Sequence, residues 1–256
     1  MSFTYQSVEE AMALSGLRMV VVGGVPSPWG EAAKGIFHIK GLDWTAVRLD
    51  YKSEALKEWT GLRNGPVAMY GKEPPRAGWA EILLLAERLA PEPPLLPADA
   101  GARALAFGLS HEICGEQGLC WTRRIQLIHA GLQGRGGFIE PVARYLAKRY
   151  GHSAEAGEAS GLRVQQLLAM LASRLKARQA EGSAYYLGDS MTAVDVYSAT
   201  CMALFKPLPA NVCAMDPGNR AAFETLDAQT AAALDPALIA HRDMMYARHL
   251  ELPLSL

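Results

Sequence analysis

Along the first ninety residues the apolar positions change period several times, and each change marks an element. Residues 17–22 read Leu-Arg-Met-Val-Val-Val, a short β-branched run ended by Gly23 and Gly24, which predicts a buried central strand. The prolines of Val25-Pro26-Ser27-Pro28-Trp29-Gly30 predict a loop that ends by starting a helix. Residues 31–40 supply that helix, with an acid in its first turn and a lysine in its last, before Gly41. A second strand is predicted over 45–49, and a short helix over 53–62 with Leu56 and Trp59 on one face. Pro66 opens a third strand at 67–70. The Glu73-Pro74-Pro75-Arg76 piece pairs only at its margins, because proline has no amide to donate. Trp79, Ile82, Leu83, Ala86 and Leu89 then share one face of a strong helix. The order is βαβ, a helix, then ββα.

Residues 91–97 hold four prolines, which neither a helix nor a central strand accommodates. Beyond them the patterned segments are helical. Val164, Leu167, Leu168, Leu171 and Leu175 form one apolar stripe closed by Gly182. Residues 133–137 interrupt an earlier helical stretch that resumes over 140–150. The expected architecture is therefore α/β plus all-α: a domain over 1–90, a linker over 91–99, and a helical domain over 100–256. Residues 1–16 extend the first domain, and Ser7 with Glu10 suggests a capped helix laid over the sheet.

The 256 residues are half hydrophobic, ample for such a core. Net charge is −1, and no basic run offers a footprint for nucleic acid or an anionic membrane surface. No apolar run approaches the roughly 18 residues of a membrane span, and the first residues do not read as a secretory signal. The four cysteines (Cys114, Cys120, Cys201, Cys213) include no Cys-x-x-Cys pair and read as reduced packing thiols of a cytoplasmic protein. No histidine cluster has metal-ligand spacing, so no metal is expected.

Three stretches carry a resemblance to the glutathione transferase superfamily that covers nearly the whole chain. Ser27-Pro28-Trp29-Gly30-Glu31 resembles the Cys-Pro-Phe-Ala-Glu turn of omega-class members. Pro66 heads a strand followed, after a hairpin, by a helix ending Leu85-Ala86-Glu87-Arg88-Leu89 and then a proline-rich segment. Leu187-Gly188-Asp189-Ser190-Met191-Thr192-Ala193-Val194-Asp195 is similar to the family's Gly-Asp-x-x-Ser/Thr-x-Ala/Val-Asp signature. In that last stretch Thr192 is expected to cap a helix, with Asp195 reaching back as its capping-box acid. Both are structural.

The resemblance implies a thioredoxin-like first domain, a helical second domain, a homodimer, and glutathione as substrate. Ser27 stands at the position of the omega-class nucleophilic cysteine, where a hydroxyl and a helix N-terminus would favour a bound thiolate. Serine cannot form a mixed disulfide, so transfer is favoured over thiol–disulfide exchange. Gly65, before a cis-Pro66, would pair with the cysteinyl backbone. At the γ-glutamyl subsite Ala77 and Gly78 replace the usual acid–serine pair, leaving Arg76 and the Gly78 amide as anchors of a degenerate subsite. Trp29, Trp121 and Tyr197 would wall an acceptor pocket between the domains, with Arg123 or Arg124 meeting an anionic acceptor. The function expected is thiolate activation and transfer to a small electrophile. The alternative is a non-catalytic ligand-binding or interaction module on the same fold.

Overall fold

The computed structural model describes residues 4–256. After α1 (Val8–Ala13) come β1 (Leu17–Val21), α2 (Pro28–Ile39), β2 (Trp44–Arg48), α3 (Glu54–Thr60), β3 (Val67–Tyr70) and α4 (Trp79–Leu89). The three strands form a sheet in the order β2-β1-β3, with β1 parallel to β2 and antiparallel to β3. The predicted fourth strand is a single bridge between Ala68 and Arg76, since Pro74 and Pro75 have no N–H to extend it.

All five β1 residues are buried, and their alternation separates two faces. Val20, with Val47, Val67 and Met69, packs under α1 and α3 through Ala11 and Leu56. Leu17, Met19 and Val21 face the other way, toward Ala32, Ile36 and Phe37 of α2 and Ile82, Leu83 and Ala86 of α4. The extension lies over the first face. Ser7 and Glu10 close a reciprocal capping box on α1, and the Gln6 amide donates to Ala46 O at 2.9 Å.

Between Leu89 and Ala100 the chain is neither helix nor strand, yet it is fastened on both sides. The buried Lys40 ammonium donates to Pro91 O at 3.1 Å and pairs with Glu87, while the Leu95 carbonyl accepts from Ala193 N at 2.8 Å. Leu95 and Leu96 are themselves core residues. The helical part follows: α5 (Ala100–Cys114), α6 (Leu119–Leu132), α7 (Glu140–Tyr150), α8 (Ala154–Ala180), α9 (Ala193–Cys201), α10 (Pro217–Glu224), α11 (Ala228–Ala233) and α12 (Pro236–Arg248). Among the described residues no helix is long and apolar enough to cross a membrane.

Cys114 ends α5 and Cys120 lies in the first turn of α6. Residues 115–118 turn the chain between α5 and α6, with Gln117 in the left-handed region at φ 62°. The two thiols are nonetheless brought together with Cys201, whose Sγ lies 2.6 Å from that of Cys120.

Every residue of α9 is buried, and its first turn is held by one carboxylate. Asp195 Oδ2 accepts from the Thr192 amide at 2.8 Å and from the Thr192 hydroxyl at 2.9 Å. Its Oδ1 accepts from Tyr186 N at 3.0 Å and meets His241 Nε2 at 3.0 Å. The reach of Asp195 back to Thr192 matches the sequence expectation. The Thr192 hydroxyl also donates to this carboxylate, a contact beyond the capping box that the sequence suggested. Losing the hydroxyl removes one hydrogen bond, while losing the carboxylate strands several buried donors at about 1–3 kcal/mol each. Thr192→Val should therefore cost about 1 kcal/mol and Asp195→Ala about 3 kcal/mol or more, read from urea denaturation midpoints. Equal, small losses would show that the carboxylate does not organise this turn.

Candidate functional site

A cleft of about 660 Å³ runs between the sheet domain and the helices. Of the residues singled out in the sequence, Ser27, Trp29, Gly65, Pro66, Gly78, Trp121 and Arg124 line it.

Ser27 occupies the N-cap position of α2, but its hydroxyl makes no capping bond. Pro28 has no N–H, and the Ser27 carbonyl takes the Glu31 amide at 2.8 Å. The hydroxyl is thus left uncommitted beside the positive end of a twelve-residue helix. Opposite it, the Gly65–Pro66 peptide is cis. Among the described residues no backbone hydrogen bond uses either main-chain group of Gly65. A side chain there would be tight, since a Cβ would lie 3.3 Å from Val20 O.

The start of α4 is occupied by the chain itself. Glu81 Oε2 accepts from Gly78 N at 2.9 Å and from Ala77 N at 3.2 Å. Gly78 lines the cleft as expected, but its amide is committed to its own helix. Arg76 is a correction, for it does not line the cleft. Its guanidinium pairs with Glu73 at 3.0 Å and donates to Pro74 O, and its backbone bridges to Ala68. Tyr197 is a second correction. It is fully buried behind the cleft, with its ring 5.6 Å from that of Trp79 and its hydroxyl donating to Trp79 O at 3.1 Å. Tyr197 holds a wall residue without being wall itself.

The helical side is aromatic. Trp29 reaches across from α2 and donates its indole N–H to Cys114 O at 2.8 Å. Tyr150 lies 6.3 Å from Trp29 and 4.8 Å from Trp121, so three rings form one surface. The adjacent arginines of α6 have opposite fates. Arg123 is buried and spends its donors on Leu204 O, Phe223 O, Thr225 O and Gln126, as a structural cation. Burial lowers its pKa to about 9, with Asp227 opposing, so it stays charged at neutral pH. Arg124 faces the cleft, with its guanidinium carbon 5.6 Å from the Phe138 ring centroid and 5.3 Å from that of Phe223. Burial raises the Cys120 thiol, and hydrogen bonds shared with Cys114 and Cys201, with the Arg124 charge, bring it back down to about 6.

The fold shared by this chain is known from solved structures. A glutathione S-transferase from Methylobacterium radiotolerans, solved with glutathione sulfonate, is 21% identical, with 91% of this chain and 92% of that one superposed at a TM-score of 0.59. A glutathione transferase family member from Pseudomonas fluorescens, with two glutathione bound, is 14% identical, covers 94% of each chain and has a TM-score of 0.62. The chain has the glutathione transferase fold. An omega glutathione transferase from Trametes versicolor, 16% identical, covers 94% of this chain and 89% of that one with a TM-score of 0.58. No family model matches the sequence, and no curated protein matches it.

Within the glutathione transferase fold, the cleft also gathers residues that the sequence did not single out. Arg149 at the end of α7 stacks 4.6 Å over the Tyr51 ring and 5.8 Å from Tyr145, and donates to Arg63 O at 2.8 Å. Tyr51 and Tyr145 meet edge to face at 5.8 Å. The Tyr145–Arg149 spacing of four residues puts both on one helical face, which was visible, but nothing local pointed to Tyr51 across the domain boundary. This clasp joins the two domains at one rim of the cleft. Exposed cation–π contacts contribute about 0.5–1 kcal/mol. Arg149→Ala should therefore speed amide hydrogen exchange over 50–64 and 140–150 with little change in the global denaturation midpoint. Unchanged exchange in both segments would rule out the clasp.

Proposed function

We propose that the protein is a glutathione transferase-type enzyme: it holds a glutathione-type thiol at the mouth of α2 and adds it to a small electrophile. The observation that carries this reading is the uncommitted Ser27 hydroxyl at a helix N-terminus, in the same cleft as the unpaired main chain of Gly65. A thiol reacts as its thiolate, with a free pKa near 8.5, and each unit of depression corresponds to about 1.4 kcal/mol. A hydroxyl donor and the helix dipole both favour the anion. The Gly65 N–H and C=O supply the antiparallel pair that a cysteinyl backbone requires. The same reading carries a domain division at 91–99 and a homodimer.

One observation favours a second reading, that of a ligand-binding module without catalysis. The Glu81 carboxylate holds the α4 amides that the resemblance assigns to the γ-glutamyl carboxylate, and a second anion there meets like-charge repulsion. On the enzymatic reading this makes the subsite weak without abolishing it.

Calorimetry with reduced glutathione separates the two. Millimolar or tighter binding is expected, and no heat at saturating ligand would favour the module. Turnover of a chlorodinitrobenzene-type electrophile should fall about tenfold or more in Ser27→Ala, as expected for a lost hydrogen bond to a charged group. Equal rates would remove Ser27 from the mechanism. Glu81→Ala should tighten glutathione binding several-fold while weakening the α4 start by about 1 kcal/mol. Unchanged or weaker binding would show that the self-cap does not compete.

A further inference from the structure

We infer that Arg124 is an anion-binding subsite at the inner end of the cleft, built for the carboxylate of a flat aromatic ligand. Arg124 is only 7% exposed and lines the cleft. Among the described residues none of its N–H groups has a hydrogen-bond partner, and its Nε is wholly buried without one. Its neighbour on the same helix shows how this chain neutralises an arginine that is purely structural: Arg123 is ringed by three carbonyls and Gln126. Arg124 receives no such treatment.

A buried cation without a counter-ion costs several kcal/mol. Two aromatic faces return only about 0.5–2 kcal/mol. The sole carboxylate in the cleft lining, Glu116, is exposed and forms no ion pair with it. The Cys120 thiol lies one turn earlier on α6 and feels the guanidinium charge, but it does not reach the cleft. A ligand carboxylate entering the cleft would supply that partner. A planar guanidinium matches a carboxylate through two parallel hydrogen bonds. The surrounding Trp29, Trp121, Tyr150, Phe138 and Phe223 are suited to a flat apolar body.

This deepens the proposed function by naming the electrophile's class, an aryl carboxylate. The subsite is testable without any thiol, so its failure and the failure of glutathione binding are separate results. The probe is para-nitrobenzoate, with uncharged para-nitrobenzamide as its control, read by quenching of tryptophan fluorescence. Wild type should bind the acid about tenfold or more tightly than the amide. Arg124→Met should abolish that preference, and Arg124→Lys should restore part of it. Arg149, the other arginine of the lining, already donates to Arg63 O, so Arg149→Gln should keep the preference. Equal affinity for acid and amide in wild type overturns the proposal. So does loss of the preference in Arg149→Gln, an outcome that decides the matter even if the Arg124 variants do not fold.

Discussion

The cleft depends on a carboxylate that never touches it. Asp195 is completely buried, and four groups from three segments converge on its two oxygens. In a low-dielectric interior such a group is costly unless each lone pair is satisfied, so its geometry is nearly fixed. Fixing Asp195 fixes the first turn of α9. One turn on, Tyr197 supports Trp79 from behind, and Trp79 begins α4 at the edge of the cleft. At the start of that turn, Ala193 N holds the segment between the sheet and the helices through Leu95 O. The same few residues therefore set how the helical part meets the sheet domain.

The cleft that results has ends of different character. At the sheet end, main-chain groups of Gly65 and the hydroxyl of Ser27 offer neutral, directional hydrogen bonds beside a helix dipole. At the helical end stands a full positive charge set among rings. The α4 start lies alongside, occupied by Glu81. A ligand with a small polar backbone at one end and a flat anion at the other matches this distribution. A charge set where water is partly excluded acts more strongly than the same charge in bulk solvent, and Arg124 is 7% exposed.

How much of this was legible in the sequence depends on how local each feature is. Strand β1, helix α4 and the helical stripe of α8 follow from periodicity, and they appear with bounds within a few residues of expectation. The Asp195 capping contact is a four-residue motif and was readable for the same reason, although the bond from the Thr192 hydroxyl to the carboxylate was not. Ser27, Gly65, Trp29, Trp121 and Arg124 came together because the order of elements already implied which loops face one another. Arg76 and Tyr197 went astray because their partners are specific: Glu73 and Pro74 capture one, and Trp79 covers the other. Glu81 closing its own helix, and the choice of Arg124 over Arg123, rest on side-chain geometry that no spacing reveals. The sequence alone also gave no reason to single out Tyr51, since its partners Tyr145 and Arg149 lie almost a hundred residues away.

On the proposed function, the mouth of α2 lowers the proton affinity of a bound thiol. The direct measurement is the ultraviolet thiolate absorbance of bound glutathione, taken as a difference spectrum across pH for wild type and Ser27→Ala. The bound thiol should ionise below its free value of about 8.5 in wild type and return toward that value without the hydroxyl. A bound thiol that titrates like free glutathione in both proteins would contradict it.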